Sequence, residues 1–307
     1  MTPVNLPLEK IIIVGIAFEP AYLSAGIALV AAFLFALSAH VQNMGPKGTS
    51  TQFGTLILIG TQAVLYSAAG IFIIKPEYWF TTAAIMFAAV GLLRPSLSIT
   101  LWVEGIKRLG PTLNAALEAS GPFFAAIFGM LILGEHLTPM IAVGIAFVVA
   151  GALIPAMRSS GITYAFPMWA ILLPLGAAAL RNVAHAFTKL GFAEVPSPLF
   201  AAMVSTLVSL IIVGGRFVVT RQTFEGRLSD YRYFLGSGIV TTFAVYMLNQ
   251  ALEYGQVITV APISASSPVF AALLGFFVFG RETLTWRTTL TIALVVPGVI
   301  LIILSSV

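Results

Sequence analysis

Cysteine is absent from this 307-residue chain, which excludes disulfides and thiolate metal sites outright. Histidine is scarce, and His40, His136 and His185 are too scattered to suggest a metal cluster. Charge is scarce as well. Only 8% of the residues are Asp, Glu, Lys or Arg, against about a quarter in soluble globular domains, so most of the chain cannot face water. No glycine-rich loop of the Walker type is present, and no nucleophile, base and acid fall into a catalytic pattern. ATP-driven pumping and enzymatic activity therefore have no support, and no cofactor is implied. A cleavable signal is lacking too: the apolar stretch from Lys10 to Phe18 is short and is broken by Glu19-Pro20. Residues 1–20 read as a tail, with room for a short interfacial helix.

What the chain has is hydrophobic mass, 59% of its residues, and an internal echo. Ala119-Ser-Gly-Pro-Phe-Phe-Ala-Ala through Gly134 returns 146 positions later as Ala265-Ser-Ser-Pro-Val-Phe-Ala-Ala through Gly280. Leu137-Thr138 recurs as Leu284-Thr285, Gly151 as Gly298, and Ala39-His40 as Ala184-His185. Self-similarity at this period means one unit written twice. Crossing about 30 Å of hydrocarbon takes roughly 20 helical residues. Apolar runs of that order fall near 21–42, 52–74, 78–106, 110–133, 138–157, 164–189, 197–219, 233–253, 257–279 and 286–305, separated by turn residues such as Gly45-Pro46 and Gly110-Pro111. Ten spans divide five and five. Because five is odd, the second copy enters the membrane from the opposite side. The expected fold is an all-α polytopic membrane protein, two inverted five-helix repeats (21–160 and 161–307) around a central cavity.

Each repeat closes with a Pro-bearing helix that ends in Gly134-Glu135 or Gly280-Arg281-Glu282, followed by Leu-Thr. In this the chain resembles the drug/metabolite transporter superfamily, EamA type, from about residue 21 to residue 305. The resemblance implies a polytopic carrier of small metabolites, often amino acids or related compounds and frequently exported, with a cavity between the repeats. It implies no single substrate.

Basic residues in short loops are held on the cytoplasmic side. Loops after odd-numbered spans carry Lys47, Lys107, Arg108, Arg158, Arg216, Arg221, Arg227, Arg232, Arg281 and Arg287; the tails and even loops carry only Lys10, Lys75 and Lys189. This distribution places both termini on the periplasmic side of a bacterial inner membrane, whereas the family's usual arrangement places them in the cytoplasm. The net charge of +4 is spread over these loops, which suits anionic lipid and does not suit a nucleic-acid surface.

An ionisable group at membrane depth survives mainly where it faces a wet cavity or a partner, and such groups are few here. Arg94, with Ser98 one turn on, and Arg181, with His185 one turn on, are candidates for a substrate carboxylate, because a guanidinium can grip one through two parallel hydrogen bonds. Each Arg has an internal alternative in Glu104 or Glu118. Glu118 lies one turn after Asn114 and one turn before Pro122, where a helix kink is expected, and reads as an amine-binding or proton-coupling carboxylate or as half of an ion pair. His40 and His185, matched between the repeats, are candidates for a pH-sensitive gate, as are the prolines Pro122 and Pro268; a structural hydrogen bond is the competing role for each histidine. Gln62 and Tyr66, and Tyr246, Asn249 and Gln250, offer neutral donors and acceptors either to a polar ligand or between helices. Glu135-His136 reads as a solvated turn, and the pairs Gly129/Gly275 and Gly134/Gly280 as close helix crossings.

These residues point to a secondary carrier for a small polar solute, amino-acid-like or an organic anion, in the lipid bilayer, with a proton gradient as a candidate driving force. A lipid flippase and a non-transporting scaffold remain as alternatives. A closed polar pocket would favour the carrier, a lateral slit floored by Arg the flippase, and fully paired buried charges the scaffold.

Overall fold

The computed structural model describes residues 11–13, 16–46, 50–156, 167–220, 228–280 and 285–306. Twelve α-helices make up nearly all of it: α1 Pro20–Asn43, α2 Thr51–Ile73, α3 Thr82–Gly91, α4 Ser98–Glu118, α5 Gly121–Leu133, α6 Pro139–Ala156, α7 Leu172–Phe192, α8 Pro198–Val219, α9 Arg232–Tyr254, α10 Val257–Ser264, α11 Ser267–Phe277 and α12 Trp286–Ser305. Ahead of them Ile11–Ile13 pairs antiparallel with Ile16–Phe18, where an interfacial helix was expected. The boundary at 160/161 and the basic residues Lys47, Arg158, Arg221, Arg227 and Arg281 lie outside the described residues.

Helix starts follow local chemistry. Ser50, Thr81, Ser197 and Thr285 each accept an amide hydrogen bond from the residue three positions on, and prolines open α1, α5, α8 and α11, where a missing N–H costs nothing. Gly134 ends α5 in the left-handed region at φ 68°, so the Glu135 amide reaches back to the Gly129 carbonyl at 3.0 Å. Gly280 likewise has φ 59°. Neither glycine is a helix crossing, as sequence reading had it; both are turns that a Cβ would strain.

Among the described residues eight segments are long and apolar enough to cross a membrane: Pro20–Asn43, Gln52–Ile73, Thr82–Gly110, Thr112–Leu133, Met168–Phe192, Pro198–Val219, Val257–Phe277 and Trp286–Ser305. The count falls short of ten at two helices. In α6 the described apolar stretch is only Pro139–Ile154, and α9 carries Arg232, Glu253 and a row of polar residues from Ser237 to Gln250. Three spans are assembled from pieces. Thr82–Gly110 joins α3 to the first part of α4, which is itself interrupted at Gly110 with φ 78°. Thr112–Leu133 runs from the end of α4 into α5 across Ala119-Ser120, and Val257–Phe277 from α10 into α11 across Ala265-Ser266, at equivalent places in the echo.

Small residues lie inside and large ones outside. Ala28, Ala31 and Ala32 of α1 are fully buried against neighbouring helices, whereas Phe72 and Phe277 point outward at 88% and 73% exposure, the distribution expected where lipid is the solvent. Glycine also allows a close approach between α6 and α12: a Cβ on Gly144 would sit 2.7 Å from the Gly298 carbonyl oxygen, and one on Gly298 2.8 Å from that of Gly144. The packing also respects the echo. The first helix of the first half, α1, lies along α9 and touches α10 and α11; its counterpart α7 lies along α3 and α4 and touches α5. Likewise α2 rests on α9 as well as α8, and α8 on α3 as well as α2. Exchanging the halves maps these contacts onto themselves.

Candidate functional site

The α3–α4 span breaks at Arg94. A wide π-type turn covers Leu92–Leu97, and within it Arg94 adopts extended backbone angles, φ −136° and ψ 127°. The sequence reason is Pro95: it supplies no N–H, and its ring pushes the preceding residue out of the helical region. Carbonyls released by such a break cannot be left bare in a membrane. Ser209 of α8 donates to the Gly91 carbonyl at 2.8 Å and to that of Arg94 at 3.3 Å, and Ser96 donates to Gly91 at 3.1 Å. The brace depends on close contact, since a Cβ on Gly91 would collide with the Ser205 carbonyl oxygen of α8. Arg94 and Ser98 consequently do not share a regular helical face, contrary to their spacing; the Ser98 hydroxyl turns back toward the Pro95 carbonyl at 3.4 Å.

Across from this break α7 is an unbroken helix, so Arg181, His185 and Lys189 line one face at one-turn intervals. Arg181 is midway along it. Its guanidinium forms an ion pair with Glu118, the last residue of α4, while its side chain remains 40% accessible. Asn182 next to it lies against Gly121, so α7 crosses directly over the α4–α5 break. Pro122 therefore opens α5 after an interruption instead of bending a continuous helix, and Pro268 does the same for α11.

Arg94 is near enough to Arg181, His185 and Tyr66 for their charges to interact. Two guanidiniums thus stand near each other, and only Arg181 contacts a carboxylate. Among the described residues Glu118 is spoken for by Arg181, Glu104 pairs with Arg108 at 2.7 Å and Lys107 at 3.7 Å, and Arg94 has neither an ion pair nor a side-chain hydrogen bond. Asn114, one turn before Glu118, is fully buried with both amide atoms unpartnered.

The other sequence candidates lie in more structural settings. Nε2 of His40 is 2.8 Å from the Ala271 carbonyl oxygen and its ring stacks on Phe279, tying α1 to α11. Tyr66 donates to the Thr242 carbonyl at 2.5 Å and Asn249 to that of Pro198 at 3.4 Å, bonds that join α9 to its neighbours. Gln62 donates within α2 to Leu58, and Tyr246 and Gln250 are half-buried on α9. At the α1–α9 contact, the counterpart of the α7 site, the polar groups are hydroxyls: Ser38 bonds Ser237 at 2.7 Å and Thr241 at 2.6 Å. Charge occupies one of two equivalent junctions.

Two segments of the chain, residues 23–157 and 168–304, match the EamA-like transporter family, one copy in each half. The chain belongs to the EamA-like transporter family. A solved crystal structure is similar to it in fold, with a TM-score of 0.79 at 17% identity over 93% of this chain and 99% of the other. No curated protein matches the sequence. Membrane carriage of a small molecule follows at the level of the family.

In this EamA-like chain the Glu135 turn is not solvated as expected. Both carboxylate oxygens accept amide bonds at 2.8 Å, from Val257 and Ile258 at the start of α10, and the side chain is half-buried over Gly129. Gly134 in the left-handed region turns Glu135 inward; its repeat mate Glu282 lies outside the described residues. Lys189, counted in the sequence among the loop charges, lies within α7, donates to the Glu253 carbonyl at 2.9 Å and is within electrostatic reach of Glu135. Burial, the largest influence, holds the Glu135 carboxyl above its ordinary range against the pull of the two amides and Lys189. Separately, a cavity of about 190 Å³ opens between α1, α11 and α12, lined by apolar side chains such as Leu29, Val269 and Val299 and by Ser266, with no basic residue. Among the described residues no three His, Cys, Asp or Glu side chains gather as a metal site.

Proposed function

We propose that this protein is a secondary carrier for a small polar metabolite, an organic anion or amino-acid-like solute, bound between Arg94, Arg181 and Glu118 and released alternately on the two sides. One observation carries the reading: Arg94 is fixed at a braced helix break in the membrane interior and has no anionic partner among the described residues, which suits an anion supplied by the solute. In the same reading α6 and α9 complete ten spans, the units 21–160 and 161–307 are inverted copies, and rocking of one against the other moves the aqueous opening across the site. The exchange symmetry of the contacts and the matched breaks at 119–120 and 265–266 support it. His185 and Asn114 complete the site, and Glu118 and His185 are the groups through which a proton gradient would act; export is the direction that the family resemblance favours. The uneven loop charge supports termini on the periplasmic face.

The test is flux into proteoliposomes of purified protein over a panel of organic acids and amino acids. Arg94→Ala and Arg181→Ala should each abolish uptake with the folded protein recovered in normal yield. Undiminished flux in both variants would reject the site.

A further inference from the structure

We infer that the site selects solutes of net charge −1, with the solute carboxylate on Arg94 and the Arg181–Glu118 pair left in place. This rests on the carrier reading and narrows it. The starting point is a charge count over the elements that meet there. The α3–α4 break brings Arg94, α7 brings Arg181, and the end of α4 brings Glu118, already in contact with Arg181. The remaining charges of these helices and their neighbours are engaged elsewhere: Glu104 with Lys107 and Arg108, Arg216 of α8 with the Thr100 hydroxyl at 2.5 Å, and Lys189 with Glu253 and Glu135. His185 and Tyr66 contribute neutral polar groups. At the site itself, among the described residues, the Arg94 guanidinium is left without a counter-charge, a residual charge of +1.

In a poorly screened interior that residual charge ranks the solutes. A monoanion cancels it. A zwitterion brings its own cation and leaves the +1 in place; its ammonium would need Glu118, and taking Glu118 would strip Arg181 of its partner. A dianion overshoots to −1. A neutral amide satisfies hydrogen bonds and leaves the charge. The guanidinium fork of Arg94 also matches a carboxylate in shape, for two parallel bonds. The amino-acid-like solute suggested by sequence is therefore disfavoured against a simple monocarboxylate of the same skeleton.

The experiment measures binding to purified protein by calorimetry on two skeletons in four charge states: butyramide, 2-aminobutyrate, butyrate and succinate, and 3-phenylpropanamide, phenylalanine, 3-phenylpropanoate and phenylsuccinate. Wild type should bind the monoanion at least tenfold more tightly than the amide, the zwitterion or the dianion of the same skeleton. Glu118→Gln raises the residual charge to +2 and should shift the ratio of dianion to monoanion affinity at least tenfold toward the dianion. Arg94→Gln should erase the preference for the anion, and Arg94→Lys should retain it. A wild-type preference for the zwitterion, or a dianion-to-monoanion ratio unchanged in folded Glu118→Gln, overturns the inference while leaving a carrier in place. Folded wild type that binds none of the eight compounds overturns the carrier reading together with it.

Discussion

Glu135, at the turn between α5 and α6, holds the first turn of α10 by accepting from Val257 and Ile258, both at 2.8 Å. The first half thereby caps a broken helix of the second, a helix whose own residue at the cap, Gln256, makes no such bond. Orphan amides at a buried helix start cost about 1–3 kcal/mol each when a partner is removed. Glu135→Ala should lower the melting temperature and the yield of folded protein, whereas His136→Ala, on the exposed neighbour, should do neither.

The same residue sets a pH dependence. Its carboxyl is held above the ordinary value of 4.5, chiefly by burial. A raised value in the folded state means that the contribution of this group to stability is full below the ordinary value and declines as pH rises through the raised one. The melting temperature of wild type should therefore fall relative to that of Glu135→Gln from acid to neutral pH. A relative rise would contradict the assignment.

Ser209 braces the break that carries Arg94. Ser209→Ala leaves the Arg94 carbonyl without its donor and the Gly91 carbonyl with Ser96 alone, a loss of about 1–3 kcal/mol, and frees the Arg94 backbone to shift. Transport should fall several-fold in protein that still folds, and Ser209→Thr, which keeps the hydroxyl, should recover more than half of it. Equal flux for wild type and Ser209→Ala would show that the brace does not position Arg94.

At the α6–α12 crossing the backbones meet at Gly144 and Gly298 with no room for a side chain. Gly298→Leu should abolish folding, as judged by monodisperse yield in detergent. Gly215→Ala is the control, since a Cβ there meets nothing within 4 Å.

Orientation is decided by fusion. With both termini periplasmic, a C-terminal phosphatase reporter should be active and a C-terminal fluorescent protein dark; the opposite result would return the chain to the family's usual topology.

Much of this was legible along the chain. Scarce charge and long apolar runs dictate membrane helices, because lipid offers the backbone no partners, and a 146-residue echo dictates a duplicated unit regardless of how its helices pack. Arg94, Arg181, Glu118 and His185 stood out for the same reason, as charges or near-charges in the wrong solvent. Even the break at Arg94 had its signal in the adjacent Pro95. Which of these groups are paired was not legible. Glu118 meets Arg181 and leaves Arg94 alone only because α7 crosses the α4–α5 break, and Glu135 turns inward only because α10 begins beside it. Pairing depends on distances between residues far apart in the chain, and tertiary packing alone sets them.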